Sequence, residues 1–429
     1  MKREPGIKWL FMDLNSYFAS VEQQENPALR GKPVAVTPMD TDYTCAIAAS
    51  YEAKAYGIKT GTMIRDAKKM CPNLHCVPAR HDRYVAYHNR IIEEVIKHTP
   101  INKVWSIDEL SSRLPPNKRN IESATKVAQK LKQGIWDNVG QAINCSVGFA
   151  PNSLLAKIAC EMQKPNGLTI LQQEDLPGPL LDLKLTDIPG IGINMERRLN
   201  KAGIYSIEDF WNIEPKHARK IWGSVQGERF WYWLHGYDFP APETKPSMIG
   251  HSRILDPQLR PPNKARLILR KLTMKAAHRL RKKSQHTRTI ATSLRTECGF
   301  KSSVQIPIQA TNDPFLLLQH IENMWACMMQ YAAQKTNTDL RFIRIKKVSV
   351  TFFGLAMHDA ITDDLFLPSL QNNHNSAIKN EALTQALETL QARYQKDVVS
   401  LGITPKTSVG YVGTKIAFAR VPEQEEFWS

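Results

Sequence analysis

Two short apolar runs in this chain each end in carboxylates, and this feature constrains the fold more than any other. The first run, residues 8–14, carries Asp13, and the second leads into the adjacent acids Asp108 and Glu109. Successive residues of a strand point to opposite faces, so Asp108 and Glu109 would normally diverge. If the two runs are neighbouring strands, all three carboxylates could still converge on a pair of divalent ions. The alternative is that these acids are solvated or cap the helices that follow.

Length and charge narrow the class of protein. With 429 residues the chain exceeds one ordinary core, so several domains are expected. The net charge of +16 indicates a polyanionic partner, most simply nucleic acid, although an acidic membrane surface is the alternative. No apolar run approaches the roughly 18 residues of a membrane span, and the start lacks a signal-peptide core, so we expect a cytoplasmic protein without membrane contact. The seven cysteines contain no Cys-x-x-Cys pattern, and we expect them to be reduced and mostly buried rather than metal-bound.

The first 171 residues alternate predicted strands and helices. We expect strands at 8–14, 32–36, 44–49 and 142–148, and helices at 15–24, 82–97, 121–136 and 153–162. Two strand–helix–strand halves around the acidic strand ends predict an α+β, ferredoxin-like catalytic core.

A glycine-rich turn follows this core. Residues 187–192 read Asp-Ile-Pro-Gly-Ile-Gly, and a predicted helix begins near residue 195. The pattern is typical of a helix-hairpin-helix motif, in which Gly190 and Gly192 let the backbone approach phosphates and the helix start attracts them. The alternative is an ordinary Gly/Pro turn between helices.

The segment 247–300 is strongly basic. It holds thirteen Lys and Arg against only Asp256 and Glu297, which favours phosphate contacts over a merely solvated face. Much of this charge lies on a predicted helix at 263–283, whose expected packing face is Leu267, Leu269, Leu272, Met274 and Leu280. The cations we expect at DNA are Arg279, Arg281, Lys282, Lys283 and Arg288. Predicted strands at 287–294, 303–308 and 342–353 around a helix at 314–331 indicate a second βαββαβ unit.

Five motifs, at residues 11–22, 49–54, 106–109, 157–167 and 188–192, occur in a familiar order. Over about residues 7–356 the chain resembles the Y-family (translesion) DNA polymerases of the bacterial DinB/UmuC-like kind. The resemblance implies a right-hand polymerase with a ferredoxin-like palm, small fingers, a helical thumb and a βαββαβ little finger. The implied boundaries are 1–16 and 81–171 for the palm, 17–80 for the fingers, 172–240 for the thumb, 241–246 for a linker, 247–356 for the little finger and 357–429 for a tail.

The same resemblance implies low-fidelity nucleotidyl transfer from a dNTP to a primer 3′-hydroxyl on template DNA. Asp13 and Asp108 would bridge two Mg²⁺ ions, Glu109 would complete the ion at the 3′-hydroxyl, and the Leu14 carbonyl would ligate the other. The residues implied at the nucleotide are Ser16, Tyr17, Phe18, Tyr51, Lys54 and Lys164.

Among these residues, Phe18 falls at the steric gate, where an aromatic ring leaves no room for a 2′-hydroxyl; a core aromatic is the alternative. The chain also departs from the family pattern. Lys54 stands where many relatives carry Arg, which turns a bidentate fork into a point charge. Leu110-Ser-Ser-Arg follows the Asp-Glu pair where the family usually has Ala and an aromatic.

The tail supplies the last predictions. Residues 362–366 resemble the pentapeptide that binds the bacterial sliding clamp (β subunit), with Leu365 and Phe366 entering an apolar pocket; an acidic loop is the alternative. A helix at 380–394, with Leu383, Ala386, Leu387 and Leu390 in one stripe, is expected to pack on the body.

We expect a monomeric polymerase acting on primer–template DNA and dNTPs. The alternatives are a catalytically silent, polymerase-like adaptor and a DNA-binding module without chemistry.

Overall fold

The computed structural model describes residues 6–240, 242, 247–357, 371–394, 399 and 421. The chain divides near Pro242 into two compact units that share no sheet. Across the described ranges, no helix combines the length and apolar character that a membrane crossing requires.

The first unit is built on two sheets. Its strands are β1 (Trp9–Leu14), β2 (Val34–Thr37), β3 (Ala48–Ala49), β4 (His75–Pro78), β5 (Lys103–Val104), β6 (Glu109–Arg113), β7 (Cys145–Ala150) and β8 (Leu168–Ile170). Five of them form a sheet in the order β5-β6-β1-β7-β8, and β3-β2-β4 form a smaller one. The predicted strands at 8–14 and 142–148 are therefore central neighbours that pair antiparallel.

Ten helices accompany these sheets among the described residues. They are α1 (Tyr17–Glu25), α2 (Tyr51–Lys54), α3 (Ile64–Met70), α4 (His81–Ile96), α5 (Ile121–Asn138), α6 (Ser153–Met162), α7 (Ile193–Lys201), α8 (Ile207–Asn212), α9 (Pro215–Trp222) and α10 (Val225–Leu234). The predicted helices at 15–24, 82–97, 121–136 and 153–162 are confirmed within a few residues.

Helix α6 packs very closely on the five-stranded sheet. The Asn152 side chain caps its first turn by accepting a hydrogen bond from the Leu155 amide. A Cβ at Gly148 on β7 would lie 2.2 Å from the Ala156 carbonyl oxygen, so only glycine permits this approach. The close packing fixes the position of every side chain that α6 presents to the edge of β1 and β6.

The second unit contains β9 (Met248–Ile254), α11 (Pro262–Lys282), β10 (Gln285–Thr296), β11 (Lys301–Thr311), α12 (Pro314–Thr336), β12 (Ile345–Phe353), β13 (Ala356–Met357) and α13 (Gln371–Tyr394). Up to β12 this is the predicted βαββαβ order, and its four main strands are arranged β11-β10-β12-β9. Residues such as Ile290, Leu294 and Val350 alternate inward and form the core with α11 and α12.

Two helix faces in this unit differ from the sequence prediction. On α11, Ile268 and Ala276 are buried, whereas Leu267 and Met274 are only half-buried, because the contact face is rotated from the predicted leucine stripe. On α13, Leu383 is 45% exposed and Ala386 is exposed, while Thr384 is buried. The tail helix does pack on the body, but through polar contacts more than through the predicted apolar stripe.

Candidate active site

Strands β1 and β6 place Asp13 directly opposite Glu109. The pair is antiparallel, and these two residues are register partners. Directly opposed residues project to the same face of a sheet, so both carboxylates point to one side. Asp108 lies just before β6, so the alternation of side chains along the strand does not determine its direction. The Asp108 carbonyl accepts a hydrogen bond from the Leu14 amide at 2.9 Å. The neighbouring-strand arrangement expected from the sequence is confirmed.

A third carboxylate, which the sequence interpretation did not include, comes from α6. Carboxylate oxygens of Asp13, Glu109 and Glu161 all lie within 4.8 Å of one another. Asp108 stands beside this group, where its carboxylate accepts a hydrogen bond from the Ser106 hydroxyl. A set of hard oxygen donors with no thiol or imidazole suits Mg²⁺ or Mn²⁺. The residues present therefore fit a divalent metal site.

Two lysines balance part of this negative charge. Lys164 Nζ lies 2.8 Å from Asp13 Oδ1 and 2.7 Å from Glu161 Oε1. Lys157 Nζ, on α6, lies 2.6 Å from Glu109 Oε1. These two ammonium groups balance only part of the acidic charge of Asp13, Asp108, Glu109 and Glu161.

Burial shifts the protonation equilibria of this cluster. Desolvation raises the pKa of Asp13 to about 7, although the charge of Lys164 opposes the change and that of Glu161 adds to it. Desolvation also raises the pKa of Asp108, against the hydrogen bond from Ser106. Burial alone would lower the pKa of Lys164, but the charges of Asp13 and Glu161 outweigh it and raise that pKa. Several strongly shifted pKa values in one cleft are typical of functional sites.

The residues predicted at the nucleotide surround the same carboxylates. Ser16 precedes α1 with a φ of 49°, and its buried hydroxyl has no hydrogen-bond partner among the described residues. Lys54 Nζ lies 4.2 Å from the centroid of the Tyr51 ring, and burial lowers the pKa of this lysine, with the charge of Lys164 adding to the effect. The Tyr17 hydroxyl donates to the Tyr84 carbonyl at 2.6 Å, so only the backbone of Tyr17 is available to a phosphate.

Phe18 is held rigidly beside this site. It is 4% exposed and stacks on Tyr84 with a centroid separation of 4.2 Å and an interplanar angle of 13°. The Tyr84 hydroxyl in turn donates to Glu22, which also forms an ion pair with Arg80. These contacts are what a core residue would make. They also hold the Phe18 ring in the fixed orientation that a steric gate requires.

The glycine turn has the geometry that the sequence predicted. Gly190 has a φ of +101°, a region that only glycine enters readily. Gly192 is the N-cap of α7, so the first amide groups of that helix follow it. These two glycines place the start of α7 next to a tight turn, and the N–H groups of a helix start suit a phosphate contact.

The predicted DNA-binding cations of the second unit differ in their surroundings. Arg281 is 11% exposed at its side chain, and its guanidinium pairs with Glu381 at 2.7 Å and Glu388 at 2.9 Å on α13. Two carboxylates already satisfy this guanidinium, which favours a role in anchoring the tail helix over the predicted contact with DNA. Lys283 and Arg288 are exposed. Arg279 and Lys282 lie near the end of α11, and Arg279 Nη1 is 3.5 Å from the Gly250 carbonyl oxygen.

The sequence interpretation missed the outer face of the second sheet. Ser252, Ser349, Ser293 and Ser303 are successive register partners across its four strands. The neighbouring row is Lys347, Arg295 and Lys301, all exposed. The sequence pattern that could have located this face is the alternation of these polar residues with the buried apolar positions of each strand.

Comparison with known proteins identifies the family of the chain. The impB/mucB/samB family matches residues 12–161, and the C-terminal domain of that family matches residues 246–365. The DNA polymerase IV of Moorella thermoacetica is 38% identical over 67% of this chain and 72% of its own length. The DNA polymerase IV of Alkaliphilus oremlandii is 30% identical over 91% of this chain and 96% of its own.

Solved structures lead to the same family. A Y-family DNA polymerase chimaera of Dbh and Dpo4 is 25% identical, with a TM-score of 0.68, and the match covers 81% of this chain and 99% of the chimaera. An insertion ternary complex of Dbh DNA polymerase is 26% identical with a TM-score of 0.54, over the same shares of the two chains. The chain therefore belongs to the impB/mucB/samB family and is a Y-family, DinB-like DNA polymerase.

Proposed function

We propose that this enzyme extends a primer on damaged template DNA by transferring nucleotides from dNTPs, using two Mg²⁺ ions. The observation that carries the proposal is the convergence of Asp13 and Glu109 on one sheet face, with Asp108 beside them. The first unit would supply palm, fingers and thumb from the five-stranded sheet, the three-stranded sheet and helices α7–α10. The second unit would be the little finger.

Each group at the site has a chemical task in this reaction. Asp13, Asp108 and Glu109, with the Leu14 carbonyl, would hold the ions. When bound, Mg²⁺ makes the 3′-hydroxyl more nucleophilic and neutralises charge on the triphosphate. The lysines at 54 and 164 offer cations to the phosphates, and the amide groups around Ser16 offer N–H donors. Phe18 would exclude a 2′-hydroxyl from the sugar site.

The outer face of the second sheet is the surface we assign to duplex DNA. Its serine row offers small hydroxyl groups, and the adjacent Lys347, Arg295 and Lys301 offer cations spaced across three strands. Small donors and cations bind phosphates without reading base sequence. With the turn at Gly190 and Gly192 on the first unit, they give two backbone-binding surfaces.

Primer extension with Mg²⁺ tests the chemistry. The double variant Asp108→Ala, Glu109→Ala should lose at least about a thousandfold in rate while still binding primer–template DNA, since electrostatic stabilisation and nucleophile activation both disappear. The matched control is Glu122→Ala, Asp137→Ala, which removes two exposed acids of α5. Normal extension by the site variant would overturn the assignment. A wild-type protein that binds DNA but never extends it would favour the adaptor alternative.

The proposed clamp contact concerns residues outside the described part of the chain. Leu365 and Phe366 lie in that region, so the proposal rests on their sequence resemblance alone. The variant Leu365→Ala, Phe366→Ala should extend primers normally alone and lose stimulation by the bacterial β clamp. Equal stimulation of variant and wild type would remove this site. Gel filtration of the same preparations tests the proposed monomeric state.

A further inference from the structure

Lys157 makes a contact that the proposed chemistry does not use. Its ammonium lies 2.6 Å from Glu109 Oε1 and 5.2 Å from the centroid of the Phe11 ring. Phe11 and Asp13 are two residues apart on β1 and therefore point to the same sheet face as Glu109. The ammonium of Lys157 thus sits at the acidic face of the sheet, next to a predicted metal ligand.

The position of Lys157 is built into the fold. It lies on α6, whose backbone approaches β7 closely enough that any Cβ at Gly148 would collide with Ala156 and Cys160. Interior packing of this kind leaves the helix little freedom to shift. Lys157 therefore reaches Glu109 from a backbone position that the packing of α6 fixes, and its side chain is only 28% exposed.

The two lysines at the site divide the carboxylates between them. Lys164 forms ion pairs with Asp13 and Glu161, whereas Lys157 forms an ion pair with Glu109. A divalent cation that binds Glu109 must approach a carboxylate whose Oε1 is already paired with the Lys157 ammonium. Two positive charges at that distance repel each other, and the site is partly shielded from water, so the competition has a measurable effect.

We propose that Lys157 is a positioning residue that holds Glu109 toward the metal site in the DNA-free enzyme and raises the cation concentration needed to occupy the Glu109 side. The inference rests on the metal site of the proposed function. It implies that a divalent cation occupies the Glu109 side readily only when a primer hydroxyl adds a further ligand. Metal binding at this side is then coupled to primer binding.

The test removes the charge and keeps the length. Lys157→Met and Lys157→Gln should bind Mn²⁺ about threefold to tenfold more tightly than wild type in DNA-free protein, measured by electron paramagnetic resonance. The Mg²⁺ concentration for half-maximal insertion should fall in the same variants, and the maximal rate should also fall, because Glu109 loses its support. Lys157→Arg should restore wild-type values, and Lys126→Met, which removes an exposed ion pair with Glu122, is the matched control.

The outcomes separate this inference from the proposed function. Unchanged or weaker Mn²⁺ binding by folded Lys157→Met and Lys157→Gln, with an active wild type, overturns the role of Lys157 alone. A wild type that neither binds Mn²⁺ nor extends primers overturns the metal site itself. Thermal unfolding of each variant establishes that it is folded, and the two substitutions differ enough in polarity that a packing defect in one does not decide the result.

Discussion

Asp13 and Glu109 are register partners on antiparallel strands, and their carboxylates share one face of the sheet. Because side chains alternate along a strand, a slip of one residue between β1 and β6 would send Glu109 to the opposite face. The pairing of these two strands therefore determines the spacing of Asp13 and Glu109 within the acidic cluster. Four predictions follow from this arrangement and from the second unit.

Asp13→Asn should stabilise the metal-free protein at pH 8. The pKa of Asp13 is raised to about 7 by burial, so the folded state binds a proton that the unfolded state has released between about pH 4 and pH 7. Its contribution to stability therefore falls as pH rises through that window. The gain should be on the order of 2–4 kcal/mol at pH 8, because the neutral amide avoids the cost of ionising a buried carboxyl whose raised pKa already includes the opposing charge of Lys164. Thermal unfolding in EDTA at pH 8 and pH 5 measures it, and an equal destabilisation at both pH values would contradict the prediction.

Phe18→Ala should admit ribonucleotides. Removing the ring opens space below the sugar, and discrimination against a ribonucleotide should fall by at least about tenfold, since a steric clash is lost rather than a binding contact. Single-nucleotide insertion with a matched pair of dNTP and rNTP gives the ratio. Tyr17→Phe, which keeps the ring and removes only the hydroxyl that bonds the Tyr84 carbonyl, should retain discrimination. An unchanged ratio in folded Phe18→Ala would leave Phe18 as a core residue.

Arg281→Gln should weaken the attachment of α13 without changing DNA affinity. The variant leaves Glu381 and Glu388 without their shared cation, at a cost of about 1–3 kcal/mol. Limited proteolysis should therefore cleave the tail helix sooner than in wild type. Arg341→Gln is the control, because its ion pair with Asp339 is exposed. A clear loss of DNA affinity in Arg281→Gln would return this residue to the DNA-binding set.

Arg295→Ala should lower DNA affinity without weakening the attachment of α13, which is the reverse of the effect expected for Arg281→Gln. This residue lies in the cation row of the outer sheet face, between Lys347 and Lys301. If it contacts one phosphate, the slope of log affinity against log salt should fall by about 0.9, and affinity should drop on all duplex sequences alike. Fluorescence anisotropy at several salt concentrations gives the slope, with thermal unfolding as the stability control. The same slope as wild type would place duplex DNA elsewhere.

The sequence predicted the elements of this fold better than their faces. Apolar periodicity located β1, α6 and α11 within a few residues, and the acidic strand ends identified the site. Glu161 and Lys157 were missed as site residues because their proximity to Glu109 depends on how closely α6 approaches the sheet, which Gly148 decides. Both residues lie in the motif at 157–167 on which the family resemblance rests. The sequence therefore contained them, but it could not show their distance from Glu109.

The ion pairs of Arg281 show a different limit of prediction from the sequence. Its charge resembled that of its neighbours, and only the placement of α13 reveals two carboxylates within reach. The pairing joins residues a hundred positions apart, and no local pattern encodes it. A charge count identifies a basic segment, but tertiary contacts decide which of its cations remain available.

The serine row across the second sheet has a mechanical consequence. Its side chains are short, and the next row on the other side consists of Gly250, Thr351, Ala291 and Gln305, of which only Gln305 has a long side chain. If duplex DNA rests on this face, as we propose, the described residues of these rows present few bulky side chains that must match the shape of the helix. Tolerance of irregular base pairs would then be a property of surface shape rather than of any single contact.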